Sequence, residues 1–253
     1  SSEGLILLSN QRILITGANS GIGLSICELF LKNNANLVLF YNENRDGIDK
    51  LLENAPSNLS VEVYKVDLFN EKKIKEAIES SLKTGTINAF VHSVTLSMEN
   101  KLIIEKNWAE YQKHIELQTK SFFQIIKLLV PIMKTKKYGK IVNILTAYTN
   151  GKPPTGISDY IVGKYSLLGL AKSLAVEVGK DGITVNCISP SMTETPLISH
   201  LPEKLKEFSA SQVPIGRLAK PSDIASLALF LCSKQSDYIS GENIMVSGGS
   251  IMD

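Results

Sequence analysis

The chain has 253 residues, 43% of them hydrophobic and 21% charged, a mix that excludes a disordered tail or a disulfide-stapled miniprotein and suits one large domain over 1–253. Its 27 basic and 25 acidic side chains leave a net charge of +2, which argues against a nucleic-acid footprint. The three cysteines, Cys27, Cys187 and Cys232, are widely spaced among apolar residues, so no disulfide framework and no metal site is expected, and a reducing cytoplasm is the expected setting.

The apolar run at 5–8 is too short for a signal peptide, and no stretch approaches the roughly 18 apolar residues of a membrane span. Apolar, β-rich runs then alternate with helical periodicity. A strand is expected at 12–16, a helix at 22–32, strands at 37–41 and 61–66, a helix at 71–82 and a strand at 87–91. A long helix follows at 108–134, closed by the lysines at 134, 136, 137 and 140, where cations favour a helix C-terminus. A strand at 141–145, a helix at 159–178 and a strand at 184–188 come next. The stretch 189–215 carries Pro190, Pro196, Pro202 and Pro214 and reads as an irregular substrate loop. A helix at 221–232 and a strand at 243–246 finish the pattern. Strands alternating with helices give an α/β fold with a parallel sheet covered on both faces.

Chemistry enters at the first turn. Ile13-Leu14-Ile15 runs into Thr16-Gly17-Ala18-Asn19-Ser20-Gly21-Ile22-Gly23 and then a helix, which is where a pyrophosphate binds. Gly17 suits the tight turn, Gly21 close backbone approach to phosphate, and Gly23 tight packing of helix on strand. The second strand ends Phe40-Tyr41-Asn42-Glu43-Asn44-Arg45, with no Asp or Glu at its tip to hold the ribose hydroxyls. A carboxylate there would repel a 2′-phosphate, so its absence leans toward NADPH over NADH, with Ser20, Asn42 and Arg45 as phosphate partners. Further on, Tyr160 and Lys164 stand four residues apart on one helix face. An ammonium beside a phenol favours the phenolate and suits the pair to general acid–base work.

Together these residues resemble the classical short-chain dehydrogenase/reductase family, most of all its 3-oxoacyl-carrier-protein reductases. The resemblance rests on the glycine turn, Val66-Asp67-Leu68, Tyr160 to Lys164, Val185-Asn186-Cys187-Ile188-Ser189-Pro190, Pro214-Ile215-Gly216-Arg217-Leu218 and the glycines near 241 and 248–249. It implies a doubly wound Rossmann-type fold with a mainly seven-stranded parallel sheet. It also implies hydride transfer between a nicotinamide cofactor and a carbonyl or secondary alcohol. Tyr160 would exchange a proton with the substrate oxygen, and Lys164 would bind the nicotinamide ribose. Asn19, Ile22, Tyr41, Asp67, Leu68, Ser93, Pro190, Thr193 and Thr195 would complete the cofactor site. A homotetramer or homodimer packed through the long helix and the Tyr160 helix is the expected assembly.

Three positions depart from the family pattern. Thr146 stands where a serine is expected and offers the same hydroxyl. Gln118 replaces an asparagine of the lysine's water relay, and His114, one turn before it, reads as a solvated helix histidine. His92-Ser93 resembles enoyl-thioester reductases, whose tyrosine and lysine stand seven apart; Ile157 occupies that position here, so the ketoreductase spacing holds. The expected activity is NADPH-dependent reduction of a ketone, with a 3-oxoacyl thioester on acyl-carrier protein or coenzyme A as substrate. Lys101, Lys106, Arg217 and Lys220 would meet an acidic carrier. Two other readings stand beside it: a dehydrogenase of a sugar or cyclic secondary alcohol, and a catalytically silent nucleotide-binding homologue.

Overall fold

Seven parallel strands form a single sheet in the order β3-β2-β1-β4-β5-β6-β7 in the computed structural model, which describes residues 8–19 and 21–252. The strands are β1 (Arg12–Thr16), β2 (Asn36–Tyr41), β3 (Val61–Lys65), β4 (Ala89–His92), β5 (Gly139–Ile144), β6 (Ile183–Pro190) and β7 (Asn243–Val246). All seven lie where sequence periodicity places them, to within two residues at each end. The continuous apolar runs are explained by burial on both faces. In β1, Leu14 points into one core with Val38, Phe40 and Phe90, while Ile13 and Ile15 point into the other with Leu37, Leu39 and Val91.

Helices cover both faces. On one lie α1 (Gly21–Lys32) and α8 (Pro221–Leu231), packed on each other, with α2 (Asp46–Glu53) beside α1. On the other lie α3 (Glu71–Leu82), α4 (Trp108–Ile115), α5 (Ser121–Lys136) and α6 (Ser158–Val178). The strand order turns back between β1 and β4, which opens a crevice at the carboxyl ends of these strands, the place where such sheets bind ligands. Among the described residues no helix is long and apolar enough to cross a membrane.

Several elements differ from expectation. Helix α2 escapes the sequence pattern because it is short and mostly polar, with only Ile48 and Leu51 buried. Helix α7 (Glu203–Ser211) lies inside the stretch expected to be irregular and buries no residue, so it leaves no apolar stripe to read. The long helix is interrupted: a π turn at Glu116–Lys120 separates α4 from α5. Along it, Phe122 and Ile126 are buried while Trp108 and Phe123 are exposed. Lys134 and Lys137 do close α5, both pairing with Asp181, but Lys140 is a buried residue of β5 paired with Asp237 at 2.6 Å. The cysteines are free and buried. Ser20 and residues 5–7 of the first apolar run lie outside the described residues.

Candidate active site

The crevice holds a cavity of about 350 Å³, of the size that takes a small ligand or part of a cofactor. Its floor is the β1–α1 turn. Gly17 sits at φ +66°, and a Cβ there would stand 1.9 Å from the Ser93 carbonyl oxygen; a Cβ at Gly23 would stand 2.0 Å from the Gly17 oxygen. A side chain at Gly17 would collide with the main chain just past β4, and one at Gly23 would push α1 away from the turn. Gly21, Ile22 and Gly23, the first residues of α1, line the cavity, the end of a helix at which N–H groups meet a phosphate. Gly21 faces Thr195 across the cavity, with a would-be Cβ 3.3 Å from the threonine side chain.

Around this floor the fold gathers most of the expected cofactor residues. Gly17, Asn19, Gly21, Ile22, Gly23, Tyr41, Asn42, Asp67, Leu68, Ser93 and Thr195 all line the cavity, together with Tyr160 and Lys164. Arg45 stands just outside the cavity wall, its guanidinium 6.0 Å from the Tyr41 ring centroid and its Nε 2.7 Å from Asp49 Oδ1. Pro190 and Thr193 also lie off the wall. Pro190 ends β6, and Thr193 is buried, its hydroxyl donating to the Ser191 carbonyl. Sequence reasoning named no role for Val94, Thr95 and Leu96, which also face the cavity, whereas Pro196 and Leu197, on the wall too, come from the expected substrate loop. The first three follow a strand end and carry no motif of their own.

The catalytic candidates converge at the inner end. Tyr160 and Lys164 lie in the first two turns of α6 and are both buried. Burial pushes the Tyr160 phenol up to about 12, against a hydrogen bond with Thr146 that favours its ionised form. Burial likewise pushes the Lys164 ammonium down to about 7. Its Nζ donates to the Ile144 carbonyl at 2.8 Å and the Val94 carbonyl at 3.2 Å, and lies 5.7 Å from the Tyr160 ring centroid. The expected lowering of the phenol by its lysine is thus absent here, because the ammonium is turned toward main-chain oxygens and desolvation dominates both groups.

Thr146 follows β5 and starts the short helical turn at Ala147–Thr149, its hydroxyl accepting from the Tyr148 N–H. That turn is tied down by Thr149, Ser189 and Asn243, whose side chains close a ring of contacts at 3.1, 2.6 and 2.9 Å. These contacts brace the turn that follows Thr146 against β6 and β7. Gln118 lies on the π turn, fully buried and off the cavity wall. Its main-chain oxygen accepts from His92 Nε2 at 2.9 Å, while His92 Nδ1 meets the Thr16 hydroxyl at 2.9 Å. Burial pushes His92 down to about 3, so it is a neutral strut between β1, β4 and the π turn.

Comparison with known proteins bears on this arrangement. A family model described as enoyl-(acyl carrier protein) reductase matches residues 17–250. A 3-oxoacyl-[acyl-carrier-protein] reductase of Thermotoga maritima is 31% identical, covering 97% of this chain and 99% of its own. The chain belongs to the short-chain dehydrogenase/reductase family. A 3α-hydroxysteroid dehydrogenase of Mediterraneibacter gnavus is 28% identical over 97% of this chain and 98% of its own. Among solved structures, one described as a gluconate dehydrogenase from Agrobacterium tumefaciens superposes with a TM-score of 0.90 at 25% identity, covering 97% and 98% of the two chains. This short-chain dehydrogenase/reductase is an NAD(P)-dependent oxidoreductase, with relatives that include both reductases and dehydrogenases.

Two further expectations need correction. His114 is not solvated: it is buried beneath Tyr160, with its ring edge-on to the phenol at 6.1 Å. Lys106 is not at the pocket mouth. Its side chain is wholly buried against Asp159 at 2.9 Å. Both are contacts between distant segments that helical periodicity cannot reveal: His114 is covered by α6, and Lys106 reaches Asp159 on that same helix.

Proposed function

We propose that this protein is an NADPH-dependent carbonyl reductase that reduces the ketone of a 3-oxoacyl thioester. The observation that carries the reading is Tyr160 and Lys164 on the wall of a cavity floored by a glycine turn, with Thr146 behind the wall and bonded to Tyr160. The crowded turn at Gly17 and Gly23 fits a dinucleotide, with the α1 N–H groups holding the pyrophosphate and Asp67 and Leu68 the adenine. Tyr41 and Arg45, with no carboxylate at the β2 tip, support a 2′-phosphate partner. When bound, the cofactor supplies a hydride.

The chain's own residues supply the proton and the orientation. Tyr160 is protonated across the neutral range, so it can donate to the substrate oxygen as that oxygen gains charge. The Thr146 hydroxyl, already bonded to Tyr160, holds the same oxygen in place. Two of the three Lys164 ammonium protons are taken by Ile144 and Val94, which leaves the third for the ribose and a positive charge near the forming phenolate. The four-residue spacing favours carbonyl over enoyl reduction, because Ile157 stands where a phenol seven residues before Lys164 would be.

Thr146→Val is expected to lower kcat about 100-fold, the weight of one hydrogen-bond donor to a developing oxyanion, while Thr146→Ser keeps turnover. A valine variant at full rate would remove Thr146 from the mechanism. The reading itself is tested by following loss of reduced-nicotinamide absorbance with acetoacetyl, crotonyl and unactivated ketone substrates. Consumption with the acetoacetyl thioester, faster with NADPH than NADH and losing that preference in Arg45→Glu, is the expected result. Turnover of the crotonyl thioester alone would replace it with the enoyl reading. Oxidation of secondary alcohols with NAD as the only activity would favour the dehydrogenase reading, which the hydroxysteroid relative supports. NADPH binding with no turnover would favour a silent homologue.

For a carrier-bound substrate the basic rim is thinner than expected, since Lys101 pairs with Glu99 and Glu110 and Arg217 pairs with Asp223. Assembly into two or four copies is part of this proposal, supported by Phe123, Val162 and Tyr165 exposed on α5 and α6.

A further inference from the structure

The residue before Tyr160 is a buried aspartate. Asp159 Oδ1 accepts from the Tyr160 backbone N–H at 2.9 Å, and Oδ2 accepts from Lys106 Nζ at 2.9 Å, with the two side chains 5% and 0% exposed. The same Oδ2 faces His114 Nε2 at 3.7 Å. The Gln118 amide Nε2 lies 3.5 Å from His114 Nδ1; donation there leaves the ring proton on Nε2, toward the carboxylate. Lys106 also donates to the Glu99 carbonyl at 3.1 Å.

These contacts join two parts of the cavity wall. The 97–107 segment continues from Ser93–Leu96, which line the cavity. It meets the start of α6 at two places, the Lys101 N–H on the Gly156 carbonyl and Lys106 on Asp159, and just beyond it, on α4, the Tyr111 hydroxyl bonds Ser158 at 2.7 Å. Below them α6 presses on α4, where a Cβ at Gly163 would stand 3.0 Å from His114 Cβ. A buried ion pair is weak evidence for stability, because well-packed apolar side chains of the same volume do as well without desolvating two charges. What it provides that they do not is direction. Ile157, at the N-cap of α6, makes no side-chain cap, so Asp159 is the side chain that fixes an end N–H of the first turn.

We propose that Lys106 and Asp159 are positioning residues for Tyr160: their ion pair clamps the 97–107 wall to the first turn of α6, so that one contact sets both the substrate wall and the place of the phenol. His114 backs the carboxylate from α4 and keeps it aimed at Lys106. The inference rests on the reading of Tyr160 as proton donor.

The test compares Lys106→Met, the neutral pair Lys106→Met/Asp159→Asn, and Lys106→Arg, reading thermal midpoint, NADPH affinity, kcat and KM with the acetoacetyl thioester. Lys106→Met alone should lower the midpoint, because it strands a buried carboxylate. The double variant should recover midpoint and NADPH affinity, yet keep a kcat about tenfold below wild type with KM within about twofold, as expected when a reacting group is slightly misplaced. Lys106→Arg should restore kcat. A double variant with wild-type kcat would make the pair a packing feature only and overturn the proposal. Should the double variant not fold, Lys106→Gln read for the same kcat and KM decides in the same way: a lowered kcat at unchanged NADPH affinity supports the clamp, and wild-type kcat removes it. Tyr160→Phe run in parallel separates the two levels. If that variant keeps full turnover, the reading of the site fails; if it is inactive while the neutral pair is fully active, only the clamp fails.

Discussion

Tyr160→Phe is expected to lower kcat about 1000-fold while leaving the fold and NADPH affinity nearly unchanged. Phenylalanine fills the same buried space, so no cavity opens, and the change removes one hydroxyl and its bond to Thr146. The stability cost of that bond is about 1 kcal/mol, small beside the loss of a positioned proton donor, which contributes about 100- to 10,000-fold. Thr146 cannot replace the phenol, because an aliphatic hydroxyl holds its proton far more tightly. The pH dependence follows from the same burial. With the phenol pushed up to about 12, it stays protonated between pH 6 and 9, so wild-type ketone reduction should show no limb from Tyr160 loss in that range. Oxidation of the matching alcohol needs the phenolate and should rise with pH. Stopped-flow single turnovers of both directions check this; a phenylalanine variant within tenfold of wild type would remove Tyr160 as the donor.

The parts of this site that sequence made legible are those with fixed spacing. A glycine turn between a strand and a helix, and a Tyr and Lys one helical turn apart, are local, and the parallel sheet brings strand ends together by rule. Tyr160, Lys164 and the glycines therefore fell in the cavity as expected. Thr146 landed beside Tyr160 for a similar reason, being the first residue past the end of β5 but one. What sequence concealed is set by contacts between distant segments. Lys106 and His114 read as surface residues because a helical pattern with Glu, Gln and Lys around it looks solvated. The packing of α6 on α4 buries His114 and the reach of Lys106 to Asp159 buries Lys106, and nothing in residue spacing encodes either. The π turn is hidden for another reason: one extra residue in a helix leaves composition unchanged, and the carbonyl of Gln118 is drawn out by His92, 26 positions earlier. The charge logic of the Tyr160–Lys164 pair was also out of reach, since desolvation outweighs the mutual effect of two groups that are neighbours in sequence.

Lys164→Met is expected to abolish turnover and, in the cofactor-free protein, to raise stability near neutral pH. The ammonium sits at about 7 in the folded chain against an ordinary 10.5, so between these values the unfolded chain binds more protons than the folded one. The Lys164 contribution to stability therefore increases as pH rises from about 7 toward about 10.5, and the full penalty of burying the charge applies below pH 7. Methionine has a similar length and no charge to desolvate, although it leaves the Ile144 and Val94 carbonyls without their donor. The net gain is expected at about 2 kcal/mol at pH 6 to 7, shrinking as pH approaches 10. Urea unfolding of both proteins at pH 6, 8 and 10 measures it, and a gap that stays constant or widens with pH would mean that Lys164 is not held in a desolvated state. A shrinking gap would tie the proposed function to instability at one atom: the charge proposed to face the ribose and the phenolate is one the empty fold accommodates poorly, so cofactor binding should stabilise the wild type more than the methionine variant.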